Sequence, residues 1–405
     1  MDKLAIHGGS PSRKEYLPYG KQWIDEEDIE KVCEVLRGDF LTTGPNIKDF
    51  EESIASYVGT KYAVAFCNGT AALHGACYAA GIGPGDEVLV SAMTFAASAN
   101  CVLYCGGTPV FVDIHPKYYN MDISKIEEKI SSRTKAIIPV DYTGQSVDID
   151  AIMDLAKKHD LIVIEDAAHA LGSTYKGKKV GSISHMTEFS FHPVKPITTG
   201  EGGAIVTNDF SYYQKLCSFR SHGMIRDKDL LSKEEGPWYH EQQTLGYNYR
   251  LTDIQCALGV SQMNKLDLYV NKRRELAKKY THLLKDMDGL VLPYEEAFSS
   301  SGWHLYILQL ELDKFTVSRR EVFEALVAEN IGVNVHYLPV YLHPYYQKLG
   351  YQKGLCPNAE NLYDSLITLP LFPKMEEEDV LEVVDALSKV ISCYKKSRIL
   401  QEIRG

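Results

Sequence analysis

Between residues 62 and 207 the chain alternates short apolar segments with stretches of helical spacing. The segments that we predict to be strands are 62–66, 86–90, 109–113, 135–140 and 161–164. Helical patterns fall between several of them, at 71–80, 123–130 and 150–159. Because crossover helices join parallel strands, this alternation predicts an α/β fold: a mostly parallel sheet with helices on both faces.

The flanking segments predict a second, smaller unit. Helices are expected at 25–36, with Asp25 as N-cap, and at 46–58, and Thr252 caps a long helix that runs to about Leu284. Beyond it, strands at 304–310 and 333–337 alternate with helices at 318–330, 358–365 and 377–394. We therefore predict three regions: an N-terminal arm (1–20), a large domain (21–265) and a small C-terminal α/β domain (266–405).

A single lysine lies in the connection between two further predicted strands. Lys195 stands between Pro193 and Pro196, after a strand at 187–191 and before one at 204–207. A lysine fixed in a tight connection can form a Schiff base with a carbonyl cofactor. It can also be an ordinary loop lysine beside a hairpin, and this stretch alone does not separate the two.

Asp166 supplies a second signal. It follows the buried strand at 161–164, and carboxylates at the carboxyl ends of such strands lie where open α/β sheets bind ligands. Pyridoxal phosphate needs both a lysine and a carboxylate against its ring nitrogen. The alternative is a magnesium-binding aspartate of a nucleotide hydrolase, since residues 172–178 match GxxxxGK. Lys179 then stands where that phosphate loop requires Ser or Thr, which disfavours the alternative.

The strand–turn–helix unit at 62–80 predicts a phosphate site. Asn68, Gly69 and Thr70 form the turn, so the free N–H groups at the start of the helix, its dipole and the Thr70 hydroxyl point the same way. Thr70 is the predicted N-cap, and a capped helix without a ligand is the simpler interpretation. Phe95 either stacks on a planar ring or fills the core.

Composition excludes several classes of function. The 405 residues are 45% hydrophobic and 24% charged, which suits a large core, and the net charge of −11 argues against nucleic-acid and anionic-membrane partners. Nine cysteines form no CxxC pair and no His/Cys ligand spacing, which predicts free thiols, no metal site and a cytoplasmic location. The start lacks the apolar core of a signal peptide, and no run of 18 apolar residues occurs.

Five motifs together resemble the sugar-nucleotide aminotransferases of the DegT/DnrJ/EryC1/StrS family. They occur in the family's order over nearly the whole chain: Asn68-Gly69-Thr70, then 165–169, 190–195, 200–203 and 246–250. The resemblance implies the fold type I architecture of pyridoxal-phosphate enzymes. It also implies pyridoxal 5'-phosphate as cofactor, with pyridoxamine phosphate as its other form, and a homodimer whose active sites are shared between subunits.

The resemblance also assigns site residues. Lys195 resembles the Schiff-base lysine and Asp166 the partner of the ring nitrogen, which makes these two the catalytic residues. Positions similar to the family's other cofactor contacts are Gly69, Thr70 and Ser190 for the phosphate, Phe95 for ring stacking, and His169 near the phenolic oxygen. Because Lys195 is not replaced by the histidine of the dehydrating members, the resemblance favours transamination.

The remaining site residues concern the neighbouring subunit and the substrate. Asn248 is similar to a residue that reaches the cofactor phosphate of the partner, while Arg250, His336 and Tyr337 fall near the substrate pocket. No arginine occurs between Arg320 and Arg398, where classical amino-acid aminotransferases bind a carboxylate, so a sugar substrate is favoured.

The narrower substrate rests on two stretches, 140–147 and 192–199. They are similar to the branch of the family in the pseudaminic acid pathway. That branch aminates C4 of a UDP-linked 4-keto-6-deoxy-N-acetylamino sugar, with glutamate as donor. Another UDP- or dTDP-keto sugar, and a regulatory or auxiliary protein without turnover, are the alternatives.

Overall fold

The structure, a computed structural model, describes residues 3–233 and 235–396. The strands, in chain order, are β1 Tyr62–Phe66, β2 Glu87–Ser91, β3 Thr108–Val112, β4 Thr134–Ile138, β5 Ile162–Asp166, β6 Thr174–Tyr175, β7 Lys178–Lys179, β8 Met186–Ser190, β9 Gly203–Thr207, β10 Met224–Ile225, β11 Glu241–Gln242, β12 Leu290–Val291, β13 Ser299–Ser300, β14 Tyr306–Leu310 and β15 Leu366–Leu369. The helices are α1 Glu26–Arg37, α2 Pro45–Val58, α3 Gly69–Ala79, α4 Ala97–Tyr104, α5 Ile149–His159, α6 Phe210–Phe219, α7 Asp253–Met263, α8 Leu266–Leu284, α9 Arg319–Ala328, α10 Pro344–Lys348, α11 Pro357–Ser365 and α12 Glu377–Tyr394.

The main sheet has seven strands in the order β1-β9-β8-β5-β4-β2-β3. All of them run in the same direction except β9, which is antiparallel to both of its neighbours. Alternate residues of the strands feed different apolar clusters: Val64 packs with α3 and α4, whereas Ala63 packs with α2 and α7. Helices therefore cover both faces, and the predicted mostly parallel α/β sheet is confirmed.

The turn between β1 and α3 differs from its prediction in one residue. Asn68, not Thr70, is the N-cap: its backbone is extended and its Oδ1 accepts the N–H of Ala71 at 2.8 Å. Thr70 lies in the first turn of the helix. The cap falls two residues earlier because the short amide side chain of Asn68 reaches the first turn as well as a hydroxyl does.

The long helix predicted from Thr252 is two helices, α7 and α8, separated at Asn264 and Lys265. Thr252 is the N-cap as expected and forms a capping box with Gln255. The pattern runs on without a gap, but α7 packs on α1 and α2 while α8 packs on α12. Lys265 at the break pairs with Asp28 of α1, Nζ to Oδ1, at 3.1 Å. The predicted domain boundary at residue 265 falls here and stays a prediction.

Two further expectations were wrong. Residues 123–130 form two short 3-10 turns instead of a helix. Residues 333–337 form no strand, because their link to the small sheet is a single bridge, Asn334 to Thr368, with a side-chain bond from His336. The small sheet is antiparallel in the order β12-β14-β15, and its strand β15 had not been predicted.

The N-terminal arm packs closely on the C-terminal part of the chain. Leu4 and Leu17 are buried in the apolar cluster formed by α8, α9, α12 and the small sheet. The buried carboxylate of Glu329 accepts the N–H groups of Ala5 and Ser12, at 2.8 and 2.7 Å. All nine cysteines are free, as predicted. Within the described residues, no helix is long and apolar enough to cross a membrane.

Candidate active site

The carboxyl ends of β5 and β8 and the start of α3 border a cavity of about 480 Å³. Most of the predicted site residues line it, although they come from distant parts of the chain. The wall contains Gly69, Thr70, Phe95, Asp166, His169, Ser190, Lys195, His336 and Tyr337. Parallel strands present their carboxyl ends at one edge, which is why these residues meet.

Lys195 follows β8 in a turn in which its backbone N–H donates to the carbonyl of His192 at 2.9 Å. Burial lowers the pKa of its amine to about 8, against the opposing charge of Asp166. An amine with such a pKa is partly neutral near physiological pH, so it can act as a nucleophile and as a base. A solvated loop lysine would lack this property, and the alternative of an ordinary loop lysine is disfavoured.

Arg273 of α8 holds the lysine turn through hydrogen bonds, and the sequence analysis did not identify it. Its guanidinium is buried and donates to backbone carbonyls: to Leu371 at 2.7 Å, to His304 at 3.2 Å and to Val194 at 3.3 Å. Burial lowers the pKa of Arg273 to about 9. Its charge also contributes to the lowered pKa of Lys195. In the sequence Arg273 is one residue of a predicted helix, and only the fold brings it to Val194, the residue before Lys195.

Asp166 is the last residue of β5 and is held by two donors. Ser98 Oγ of α4 donates to Oδ2 at 2.5 Å, and the N–H of Ala168 donates to Oδ1 at 3.2 Å. Burial raises the pKa of Asp166, while these donors and the charge of Lys195 oppose the rise. The carboxyl group is therefore fixed in direction beside the cavity. Ser98 was missed because α4 was not predicted.

His169 is a neutral hydrogen-bond relay in the cavity wall. Its Nδ1 accepts the N–H of Thr143 at 3.3 Å, so Nε2 carries the proton and donates to Tyr337 Oη at 3.1 Å. Burial lowers the pKa of His169 well below its usual range. The ring of His304 lies 4.4 Å from that of His169, centroid to centroid, and its pKa is also lowered by burial. His304 is a further wall residue that the sequence analysis missed.

His336 lies in the wall with both ring nitrogens engaged. Nδ1 pairs with Thr368 Oγ1 at 2.9 Å and Nε2 with Asn334 Nδ2 at 3.3 Å. Burial lowers the pKa of His336 to about 3. The ring of His336 lies 4.9 Å from that of Tyr337, centroid to centroid, and its predicted contact with substrate stays a prediction.

The start of α3 offers an approach free of side chains. A Cβ on Gly69 would come within 2.4 Å of Glu188 Oε1, so a larger residue there would have to displace the buried Glu188 side chain. The first N–H groups of a helix have no partner inside it, and they suit a phosphate together with the hydroxyl groups of Thr70 and Ser190. A lysine, a fixed carboxyl group and this helix start in one cavity fit pyridoxal phosphate.

Phe95 is 60% exposed, and its ring centroid lies 6.0 Å from that of Tyr337 at the cavity edge. The alternative that Phe95 fills the core is therefore wrong. The nucleotide-hydrolase alternative also fails, because residues 172–178 fall in the antiparallel hairpin of β6 and β7, after which the chain enters β8.

Asn248 and Arg250 do not meet Lys195 within one chain. Asn248 is exposed, and Arg250 borders a separate cavity of about 840 Å³. Basic side chains are frequent in the wall of this second cavity, namely Arg220, Arg226, Arg250, His222 and His240. The predicted roles of Asn248 and Arg250 are not met within one chain and stay predictions.

Known proteins share this architecture over almost the full chain. Residues 22–388 match the DegT/DnrJ/EryC1/StrS aminotransferase family. The spore coat polysaccharide biosynthesis protein SpsC of Bacillus subtilis is 42% identical over 381 residues, which is 94% of this chain and 98% of that protein. A UDP-4-amino-4,6-dideoxy-N-acetyl-beta-L-altrosamine transaminase of Campylobacter jejuni is 39% identical over 383 residues, 94% of this chain and 99% of the relative.

Solved structures agree. Helicobacter pylori PseC, an aminotransferase involved in the biosynthesis of pseudoaminic acid, superposes with a TM-score of 0.88 at 36% identity, covering 94% of this chain and 100% of that one. Spr1654 of Streptococcus pneumoniae, a putative sugar aminotransferase, has been solved in its PLP and PMP forms. Its PLP form superposes with a TM-score of 0.86 at 31% identity, covering 93% of this chain and 99% of that one.

The matches and the cavity lead to the same chemistry. The fold is that of the pyridoxal-phosphate transferases, the cofactor is pyridoxal phosphate, and the protein is a sugar aminotransferase. The chain belongs to the DegT/DnrJ/EryC1/StrS aminotransferase family.

Proposed function

We propose that this enzyme transfers an amino group from glutamate to C4 of a UDP-linked 4-keto-6-deoxy-N-acetylamino sugar of the pseudaminic acid type. The observation that carries the proposal is the meeting of Lys195 and Asp166 in one cavity, with the pKa of the lysine lowered to about 8. The names of the Campylobacter jejuni relative and of Helicobacter pylori PseC support the sugar.

When bound, pyridoxal phosphate supplies an electron sink for a carbanion at the substrate carbon. We assign to Lys195 Nζ the attachment of the cofactor and, once released, the removal and return of the proton at that carbon. We assign to Asp166 the role of keeping the ring nitrogen of the cofactor protonated. Its two hydrogen-bond donors hold the carboxyl group in place for this role. Both roles use the groups as the structure orients them.

The other wall residues hold and cover the cofactor. Gly69, Thr70 and Ser190 take the phosphate at the start of α3, where Gly69 leaves room for it. Phe95 covers one face of the ring, and its exposure leaves that face free to stack. The Nε2–H group of His169 donates to Tyr337, and because His169 is neutral it adds no positive charge beside Lys195.

Homodimerisation with shared sites forms part of the proposal. Asn248 and Arg250 lie outside the Lys195 cavity of their own chain, on a loop with a basic cavity, so they are free to serve the cofactor and the substrate of a partner. Mixing Lys195→Ala and Asn248→Ala chains tests this. A heterodimer has one site with both lesions and one with none, so activity should partly return. No recovery while subunits exchange would contradict sharing.

The substrate is tested by supplying the L-configured keto sugar of a C5-inverting dehydratase and its D-configured epimer, each with pyridoxal phosphate and glutamate. We expect the L sugar to be aminated at C4 faster, as followed by mass and NMR of the product. Only buried hydrogen bonds left unpaired by the wrong epimer discriminate strongly. Equal turnover or a preference for the D sugar would contradict the assignment.

A different keto sugar is the second candidate. SpsC, named for spore coat polysaccharide biosynthesis, is 42% identical to this chain, against 39% for the Campylobacter jejuni transaminase. The same assay with other UDP- and dTDP-keto sugars separates the two candidates. A protein without turnover is tested by colour: we expect a yellow protein that glutamate bleaches, and a colourless one would contradict any transaminase.

A further inference from the structure

The cavity wall contains a buried acid that the proposed chemistry does not use. Glu188 of β8 is 0% exposed and lines the cavity beside Asp166 and Lys195. In the described part of the chain, neither of its carboxyl oxygens has a hydrogen-bond donor within reach. An ionised carboxylate buried without a donor is strongly destabilising, so the protonation state of Glu188 needs an explanation.

Its position ties Glu188 to both ends of the cofactor site. The parallel register pairs it with Asp166 on the neighbouring strand, so the two side chains leave the same face of the sheet. Its Oε1 also lies next to Gly69 at the start of α3: a Cβ added to Gly69 would be 2.4 Å from this oxygen. The ionisable groups that act on it from the surrounding elements are Asp166, Lys195 and the thiol of Cys101.

Two adjacent carboxyl groups share a hydrogen bond only if one of them carries a proton. Asp166 already accepts from Ser98 and Ala168, whereas Glu188 has no donor, so the proton belongs on Glu188. Burial, followed by the charge of Asp166, raises the pKa of Glu188 well above its usual range. In turn, hydrogen bonding with Glu188 lowers the pKa of Asp166 against the effect of burial.

We propose that Glu188 is a positioning residue of this active site: its neutral carboxyl group donates a hydrogen bond to the carboxylate of Asp166, which keeps that carboxylate ionised and directed at the ring nitrogen of the cofactor. The inference rests on the role proposed above for Asp166. A neutral Glu188 also adds no negative charge to a cavity that receives a phosphate.

Two substitutions separate donation from packing. Glu188→Gln keeps an N–H donor of similar shape, and Glu188→Leu removes it; Glu188→Met replaces the latter should the leucine variant fail to fold. The affinity of the apoprotein for pyridoxal phosphate is measured from acid to neutral pH. On lowering the pH, we expect the affinity of the Glu188→Gln variant to fall at the same pH as that of the wild type. In the Glu188→Leu variant the fall should begin at higher pH, because Asp166 without its donor takes up a proton more readily. We expect kcat to fall about 10- to 100-fold for Leu, the size of one lost hydrogen bond to a charged group, and much less for Gln.

A second readout needs no cofactor. When folding raises the pKa of a group, the contribution of that group to stability is fully present below its pKa in the unfolded chain. The contribution is lost as the pH rises from that pKa towards the raised pKa of the folded state. Relative to Glu188→Gln, the unfolding midpoint of the wild-type apoprotein in urea should therefore fall as the pH rises above 4.5, the ordinary value for a glutamate. Parallel curves would show that Glu188 is ionised in the folded state and would overturn the proposal.

The outcomes also separate this inference from the role of Asp166. If Asp166→Asn loses activity and cofactor affinity while the Gln and Leu variants of Glu188 both behave like the wild type, only the inference fails. Equal losses in Gln and Leu would make Glu188 a packing residue and would also overturn it. If the activity and cofactor affinity of Asp166→Asn are near those of the wild type, the proposed role of Asp166 is wrong, and the inference on Glu188 falls with it.

Discussion

Two buried carboxyl pairs lie around β5, and they differ in what surrounds them. Glu165 and Asp141 form one pair, and Asp166 and Glu188 form the other. Successive residues of a strand point to opposite faces, so Glu165 and Asp166 belong to different sides of the sheet. In both pairs burial is the main cause that raises the pKa of each acid.

In the Glu165–Asp141 pair, on the far side, each acid accepts at least one hydrogen bond, although Oδ2 of Asp141 has no partner among the described residues. Ser184 and Thr187 donate their hydroxyl groups to Glu165 Oε2, the latter at 2.9 Å, and the N–H of Val147 donates to Asp141 at 2.9 Å. The pair on the cavity side leaves Glu188 without a donor and faces Lys195. Burial and a shifted pKa are therefore shared by structural and functional acids. The cavity and the facing Lys195 distinguish the functional pair, together with a glutamate that has no donor on either oxygen.

The largest effect should come from removing the cation that faces the cavity pair. We expect Lys195→Ala to abolish turnover and the long-wavelength absorbance of cofactor attached to a lysine, because no second lysine lines the cavity among the described residues. Spectra and single-turnover assays check this. Lys48→Ala is the matched control, since the Lys48 side chain is 76% exposed. A Lys195→Ala protein that keeps both signals would mean that another lysine carries the cofactor.

The aspartates of the two pairs should respond differently. We expect Asp166→Asn to lose about 3–4 kcal/mol of transition-state stabilisation, because a neutral amide cannot hold the proton of the ring nitrogen. Asp141→Asn, on the far side, should keep most of its kcat per folded molecule. Steady-state rates on samples matched for folded fraction decide the point. Comparable losses in both variants would remove the distinction drawn between the pairs.

The glutamate of the far pair should matter for stability rather than for rate. We expect Glu165→Leu to reduce the free energy of unfolding by about 1–3 kcal/mol, because the buried hydroxyl groups of Ser184 and Thr187 lose their acceptor. Urea unfolding of the apoprotein measures the loss. Activity per folded molecule should stay near that of the wild type, and a specific loss of kcat would contradict a purely structural pair.

The smallest effect is a pH dependence of stability on the cavity side. Folding lowers the pKa of Lys195 from 10.5 to about 8, so between these values the unfolded chain binds a proton that the folded apoprotein does not. By linkage the Lys195 contribution to stability rises with pH over this window, by about 1–2 kcal/mol after allowance for partial exposure. Unfolding curves of the wild type and Lys195→Met should converge as the pH rises towards 10.5, and a constant difference would contradict the lowered pKa.

The sequence determined the elements whose signals are local. Alternating apolar segments placed the strands of the main sheet, capping residues such as Asp25 and Thr252 marked helix starts, and strand ends placed Asp166 and Lys195 at one edge. The resemblance to the family gave the fold type and the cofactor. The roles that it assigned to individual residues remain predictions for the experiments above.

Tertiary structure decided what depends on partners far away in the chain. The uninterrupted pattern of α7 and α8 breaks because each helix packs on different neighbours. Residues 333–337 join the small sheet by a single backbone bridge and one side-chain bond instead of a ladder. Arg273, Ser98 and Glu188 carry no local signature, since each acquires its role only where another element meets it. The propensity to form a helix or a strand depends on a few neighbouring residues of the chain. A missing hydrogen-bond donor or a shifted pKa depends on all the residues that surround the group in the fold. For that reason the sequence predicted several of the groups that line the cavity, whereas only the fold showed that Glu188 joins them there without a donor.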